Sequence, residues 1–180
     1  MGIITKLIKG ALNILEEIIL DEVDSTKSPE ELSQKGLDYY KVGNYTEAIK
    51  YFKLSAEQGH AFAQYGLGAM YGDGLGVEQN YHEAEKWLRL AAEQGIAEAQ
   101  ETLARVYMTG LGVEQNYYEA AKWAKLAAEQ GIAESQAILG ALYSQGWGVE
   151  QNDYEAEKWF NLAAAQGYEP AIKLLNNSED

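Results

Sequence analysis

GLGVEQN at residues 74–80 returns at 110–116, and GWGVEQN takes the same place at 146–152. Aligned on this phrase, Gly76, Gly112 and Gly148 stand 36 residues apart, and AEQG keeps step at 56–59, 92–95 and 128–131, with AAQG at 164–167. A fixed period of this length marks a solenoid, in which each unit covers its apolar face only by stacking on its neighbours.

Each unit divides into two helix-sized pieces. HAFAQYGLGAMY (60–71) carries apolar residues at helical spacing and runs into the glycines of GDGLG. NYHEAEKWLRLAAEQG (80–95) opens on Asn80 with Glu83 three residues on, the spacing of a reciprocal capping box, and stops at Gly95. The same pair recurs as Asn116/Glu119, Asn152/Glu155 and Asn44/Glu47. The phrase therefore ends helix A and starts helix B. Its glycines supply positive φ and close approach, Val77 plugs the gap between helices and Asn80 caps the next helix. A phosphate-binding reading of the glycines fails, since no strand precedes them and no lysine follows.

The pattern A-x-x-Q-x-x-L-G-x-x-Y, a G-x-G-V loop, then A-x-K-W-x-x-x-A-A-x-Q-G resembles the Sel-one-like repeat, a longer-looped relative of the tetratricopeptide repeat. Leu67/Gly68/Tyr71 with Ala84/Trp87/Ala91 carry it, as do Leu103/Tyr107 with Ala120/Trp123/Ala127 and Leu139/Gly140/Tyr143 with Ala156/Trp159/Ala163. Ala104 stands where the family prefers glycine, which predicts slightly wider helix spacing in that unit. KGLDYYKVGNYTEAIKYFKLSAEQG (35–59) is four residues shorter between Tyr39 and Ala48 than its successor is between Tyr71 and Ala84, and resembles a tetratricopeptide repeat. The resemblance implies an all-α, right-handed α/α solenoid of antiparallel helix pairs. Its expected divisions are an N-terminal amphipathic helix and linker (1–27), a tetratricopeptide-like unit (28–59), three Sel-one-like units (60–95, 96–131, 132–167) and a C-terminal cap (168–180).

Both ends carry their own signals. Ile4, Ile8, Ala11, Leu15 and Ile18 make an apolar face that needs covering. It caps the first repeat, self-associates through residues 3–19, or lies on a membrane surface; Glu16, Glu17, Asp21, Glu22 and Asp24 oppose the last against Lys6 and Lys9. Charges interrupt this stretch too often for a membrane span, and no cleavage site follows it, so the expected address is cytoplasmic. Ser28 and Pro29 read as the cap and first residue of the next helix.

Composition narrows the function. The 180 residues hold no cysteine, which removes disulfides, thiolate metal sites and cysteine nucleophiles. Twenty-eight acidic against 14 basic residues leave a net charge of −14, which repels nucleic acid and favours basic protein partners. His60 and His82, the only histidines, become Ile or Tyr in the other units, so neither belongs to a repeated acid–base or metal site. No enzyme, cofactor or metal is expected.

Comparing the long units with one another separates framework from freedom. Helix A varies at Phe62/Glu98/Glu134, Tyr65/Glu101/Ala137, Gly66/Thr102/Ile138 and Ala69/Arg105/Ala141, offsets that trace one helical stripe. In the architecture this chain resembles, that stripe lines the concave surface and binds peptides. The resemblance implies a groove of Leu37, Tyr40 and Lys41, then Tyr65, Ala69 and Asp73, then Glu101, Arg105 and Met108, and lastly Ala137, Ala141 and Ser144. Trp87, Trp123 and Trp159 hold one repeated core position, whereas Trp147 replaces Leu75 and Leu111 in a turn and is a candidate contact. The expected function is a non-catalytic adaptor or scaffold binding a basic protein or peptide. Inhibition of a bacterial toxin and membrane-surface anchoring by the N-terminal helix are the alternatives.

Overall fold

The computed structural model describes residues 27–177. The N-terminal amphipathic helix expected before Lys27 lies outside the described residues, as does the self-association or membrane contact assigned to it. Nine helices and no strand occur among the described residues: α1 (Pro29–Lys41), α2 (Tyr45–Glu57), α3 (Ala61–Asp73), α4 (Tyr81–Glu93), α5 (Ala97–Thr109), α6 (Tyr117–Glu129), α7 (Ala133–Gln145), α8 (Asp153–Ala165) and α9 (Glu169–Asn177). Odd numbers are helix A and even numbers helix B, and each helix packs on its predecessor and successor, giving an α/α solenoid. The A row is the tighter one: α1 touches α3 and α5 touches α7 directly, contacts that no two B helices match. Closer approach on one row puts that row on the inside of the curve.

The repeated phrase does more than join two helices. Gly74 ends α3 at φ 69° with its N–H on the Met70 carbonyl, and Gln79 Nε2 donates back to the Gly72 carbonyl at 2.7 Å. Gly76 lies so close to the start of α2 that a β-carbon there would meet the Tyr45 carbonyl oxygen at 2.4 Å. Each loop is thus pinned to the preceding unit, where only glycine fits. Val77 is half-buried.

Asn80, Asn116 and Asn152 cap their helices as expected, but the reciprocal half of the box is missing. Their backbone N–H groups donate instead to the carbonyls of Tyr71, Tyr107 and Tyr143 at 2.9, 2.9 and 3.0 Å. Asn44 likewise donates to Tyr39. The returning chain brings a helix A carbonyl to the Asn N–H, so the glutamate is not needed there. A full box forms at Ser28/Glu31, at the start of α1.

Two core clusters run through the stack, and both cross unit boundaries: Ala48, Phe52, Ala56, Ala63, Leu67 and Met70 in one, and buried residues from Leu88 to Leu142 in the other. Trp123 is 2% exposed within the second, and Trp87 and Trp159 pack on these cores, as expected of a repeated structural position. The alanine at position 104 meets a compensating change. Gly68 opposes Leu88 and Gly140 opposes Phe160, whereas the equivalent pair is Ala104 and Ala124, both fully buried.

A glutamine ladder ties neighbouring units. Gln94 Nε2 donates to Gln64 Oε1 and the Gly59 carbonyl, Gln130 to Gln100 and Gly95, and Gln166 to Gln136 and Gly131. Gln64, Gln100 and Gln136 in turn donate to the carbonyls of Ala56, Ala92 and Ala128. This is the work of the glutamine in AEQG. At the C-terminal end α9 closes on α8, burying Ala171 completely.

A candidate protein-binding groove

Two adjoining depressions open along the A row, sharing Tyr65 and Ala69 as a common wall. The first, of about 170 Å³, gathers Leu37 and Tyr40 from α1 with Phe62, Tyr65 and Ala69 from α3 over a floor of Phe52 and Gly66. The second, of about 330 Å³, lies between α3, α4 and α5 and takes in Asp73, Glu85, Thr102 and Arg105. Six of the expected groove residues thus fall into two connected hollows: Leu37, Tyr40, Tyr65, Ala69, Asp73 and Arg105.

The α5 side of the groove is acidic. Arg105 spans two carboxylates, Glu101 at 3.3 Å on its own helix and Glu134 at 3.4 Å on α7. Burial, and then the Glu134 carboxylate, push the Glu101 carboxyl above the ordinary glutamate range despite Arg105. Burial, followed by Glu98 and Glu101, likewise raises the Tyr65 phenol. Tyr168, from the turn before α9, is raised by burial and then by Glu134 and Glu101.

The remaining expected residues stand apart from these hollows. Lys41 is exposed at the end of α1, Met108 packs against the larger core, and Ala137 and Ala141 are half-buried. Ser144 lines a separate depression near Phe160 and Leu174. Trp147 is 43% exposed but stacks on Tyr117 at 4.9 Å between ring centres, so one face is already covered. Phe62, Gly66, Thr102 and Glu134 were not singled out as groove residues, although they varied in the same stripe; what each would touch depends on which neighbour the stack brings beside it.

Other polar groups have structural work. His60 caps α3, its Nδ1 accepting from the Ala63 N–H at 3.2 Å. Arg89 joins three helices: it pairs with Glu85 at 2.8 Å, donates to the Tyr107 hydroxyl, and lies 3.6 Å from Glu119 of α6. Burial and the hydrogen bond to Glu85 push the Tyr107 phenol up to about 12. Among the described residues no cluster of three or more His, Asp or Glu side chains is arranged to hold a metal ion, and no helix is long and apolar enough to cross a membrane.

The Sel1 repeat family model matches this chain four times in succession, over residues 31–60, 61–96, 97–132 and 133–168. The first segment, the shorter unit, is included. A protective antigen of uropathogenic Escherichia coli strains with an SLR fold matches 88% of this chain at 35% identity and a TM-score of 0.78. A Sel1 repeat protein from Oxalobacter formigenes matches 77% at 37% identity with a TM-score of 0.72. The match spans 35% of the first structure's chain and 57% of the second's. Helicobacter pylori cysteine rich protein B shares the fold at 24% identity, with a TM-score of 0.56 over 73% of this chain and 94% of that one. No curated protein matches. Four consecutive matches over most of its length show that the chain belongs to the Sel1 repeat family, whose members are in general protein-interaction modules.

Proposed function

We propose that the chain is a non-catalytic adaptor that holds a basic protein or peptide segment along the inner, helix A face. The observation that carries this reading is the pair of connected hollows on the A row. They take in helix A positions that change between units, among them Phe62, Tyr65, Gly66, Ala69, Thr102 and Arg105. Aromatic and arginine side chains such as Tyr40, Phe62, Tyr65 and Arg105 are those enriched at interface hot spots. The net charge of −14 favours a basic partner through long-range attraction.

The test is a pull-down from native lysate with the full chain, a variant carrying Tyr65, Glu101 and Arg105→Ala, and a control carrying Lys125→Ala and Glu129→Ala on the B face. A protein retained by the wild type and the control, but lost by a groove variant that still unfolds cooperatively, is the expected result. Equal retention by all three, or retention by none, would remove the groove as the binding surface.

A further inference from the structure

The first depression has Gly66 and Phe52 as its floor. Gly66 lies over the Phe52 ring, where an added β-carbon would sit 3.3 Å from Phe52 Cζ. Its counterparts one and two units on are Thr102 and Ile138, and Ile138 is buried. Thr102 borders the second hollow, so the two depressions occupy equivalent spaces in successive units, and the first differs in that Gly66 leaves the Phe52 ring as its floor. Phe62 and Tyr40 then stand at the rim with 43% and 40% of their surface exposed. At about 170 Å³ the hollow is smaller than the roughly 300 Å³ at which small-molecule sites begin, so it suits one leucine- or phenylalanine-sized side chain rather than a cofactor.

One unit further along the row the character reverses. Phe62 and Tyr65 are replaced in register by Glu98 and Glu101, with Glu134 beyond them, three carboxylates against the one guanidinium of Arg105. Arg105, paired with Glu101 at 3.3 Å, lines the second hollow together with Tyr65, so this acidic stretch adjoins the aromatic wall. Packed helices lie about 8–10 Å apart, and an extended segment advances about 3.3 Å per residue. A chain anchored in the hollow therefore reaches the acidic stretch about three residues later.

We infer that the groove selects a partner segment with a bulky apolar residue seated between Tyr40, Phe62 and Tyr65, and a lysine or arginine about three residues away against Glu98 and Glu101. This rests on the groove reading above and names the chemistry of its occupant. Phe62 and Tyr65 determine specificity, because Glu98 and Glu101 stand in their places one unit on. The apolar residue supplies most of the affinity and the basic one fixes direction, since an exposed ion pair contributes little by itself.

The experiment is selection from a random phage-displayed dodecapeptide library on the full chain, followed by binding of synthetic representatives to three variants. Phe62→Ala removes an exposed wall, Ala69→Leu fills the hollow from its open side without adding charge, and Glu98→Gln/Glu101→Gln removes the acidic stretch. Thermal melts confirm that each variant is folded. Selected peptides should share an apolar residue about three positions from Lys or Arg. Binding should fall by about tenfold or more in the first two variants, as for loss of an interface anchor, and should become less sensitive to salt in the third. Peptides that lack this pattern, or that bind the Phe62 and Ala69 variants as well as wild type, overturn the inference. So does an absence of selection, as would follow if a second copy or the chain's own residues 1–26 filled the hollow. If peptide selection fails while the lysate partner is still lost with the groove variant, only the anchor is wrong; if both fail, the groove itself is.

Discussion

At Gly68 an added methyl would lie 2.8 Å from Leu88 Cγ, at Gly36 it would meet Phe52 at 2.9 Å, and at Gly140 it would meet Phe160 at 2.9 Å. The fourth member of this series is Ala104, and the residue at the opposing position is Ala124. Side-chain volume is thus traded across the helix A–helix B contact: nothing faces a large residue, or a methyl faces a methyl. Gly68→Ala alone should overpack the contact and cost about 1–3 kcal/mol, less the ~1 kcal/mol that alanine gains over glycine in a helix. Leu88→Ala alone should cost about 2–5 kcal/mol by opening a cavity. Combined, the two recreate the Ala104/Ala124 pair, so urea denaturation should show the double variant more stable than the sum of its parts by about 0.5–3 kcal/mol. Strict additivity would mean that the two positions do not share this space.

Helices in this chain are held at their ends by bonds of two ranges. The Asn caps and the left-handed glycines act within four residues, and each reads directly from local sequence. The glutamine ladder acts between units, joining Gln94 to Gln64 and Gln130 to Gln100 across 30 positions of chain. Gln100 is 4% exposed, accepts from Gln130 and donates to the Ala92 carbonyl, so Gln100→Ala removes two hydrogen bonds at the unit boundary. A loss of about 1–3 kcal/mol is expected in thermal denaturation. Gln58→Ala is the control: Gln58 is exposed and its side chain donates, among the described residues, to Leu54 of the adjoining helix, so its loss should stay within about 0.5 kcal/mol. Equal losses would show that the ladder adds nothing to helix stacking.

At the scale of the whole molecule, stacking brings Glu98, Glu101 and Glu134 of units three and four together on the A face around Arg105. Glu101 is raised by burial first and by Glu134 second, with Arg105 only partly offsetting both. A carboxyl whose folded pKa exceeds its unfolded value opposes folding when ionised. That penalty is complete above the folded pKa, fades as the pH falls through it, and is gone below the unfolded value. Glu101→Gln should therefore raise the melting temperature at neutral pH, and the gain should shrink on acidification and vanish below the range of an ordinary glutamate. A variant less stable than wild type at pH 7 would show that the Arg105 ion pair outweighs the repulsion. The same unrelieved charge is what a basic partner residue would neutralise on binding.

The sequence by itself determined the period, the helix boundaries, the glycine stops, the asparagine caps and the variable stripe of helix A, because each rests on contacts within about one helical turn or on repetition of the same residue at the same place. It also excluded cysteine chemistry outright. Only the tertiary structure decided where the Asn80, Asn116 and Asn152 N–H groups go, which glutamines meet, and that Arg105 reaches Glu134 on the next helix A. Only it separated Tyr65, Ala69 and Arg105, which border the hollows, from Met108, which packs into the core. The physical reason is one of distance along the chain. The asparagine partners lie nine residues back across a loop, and the glutamine and arginine partners some thirty residues away, where a side chain's neighbour is set by how the units stack, which no single unit specifies.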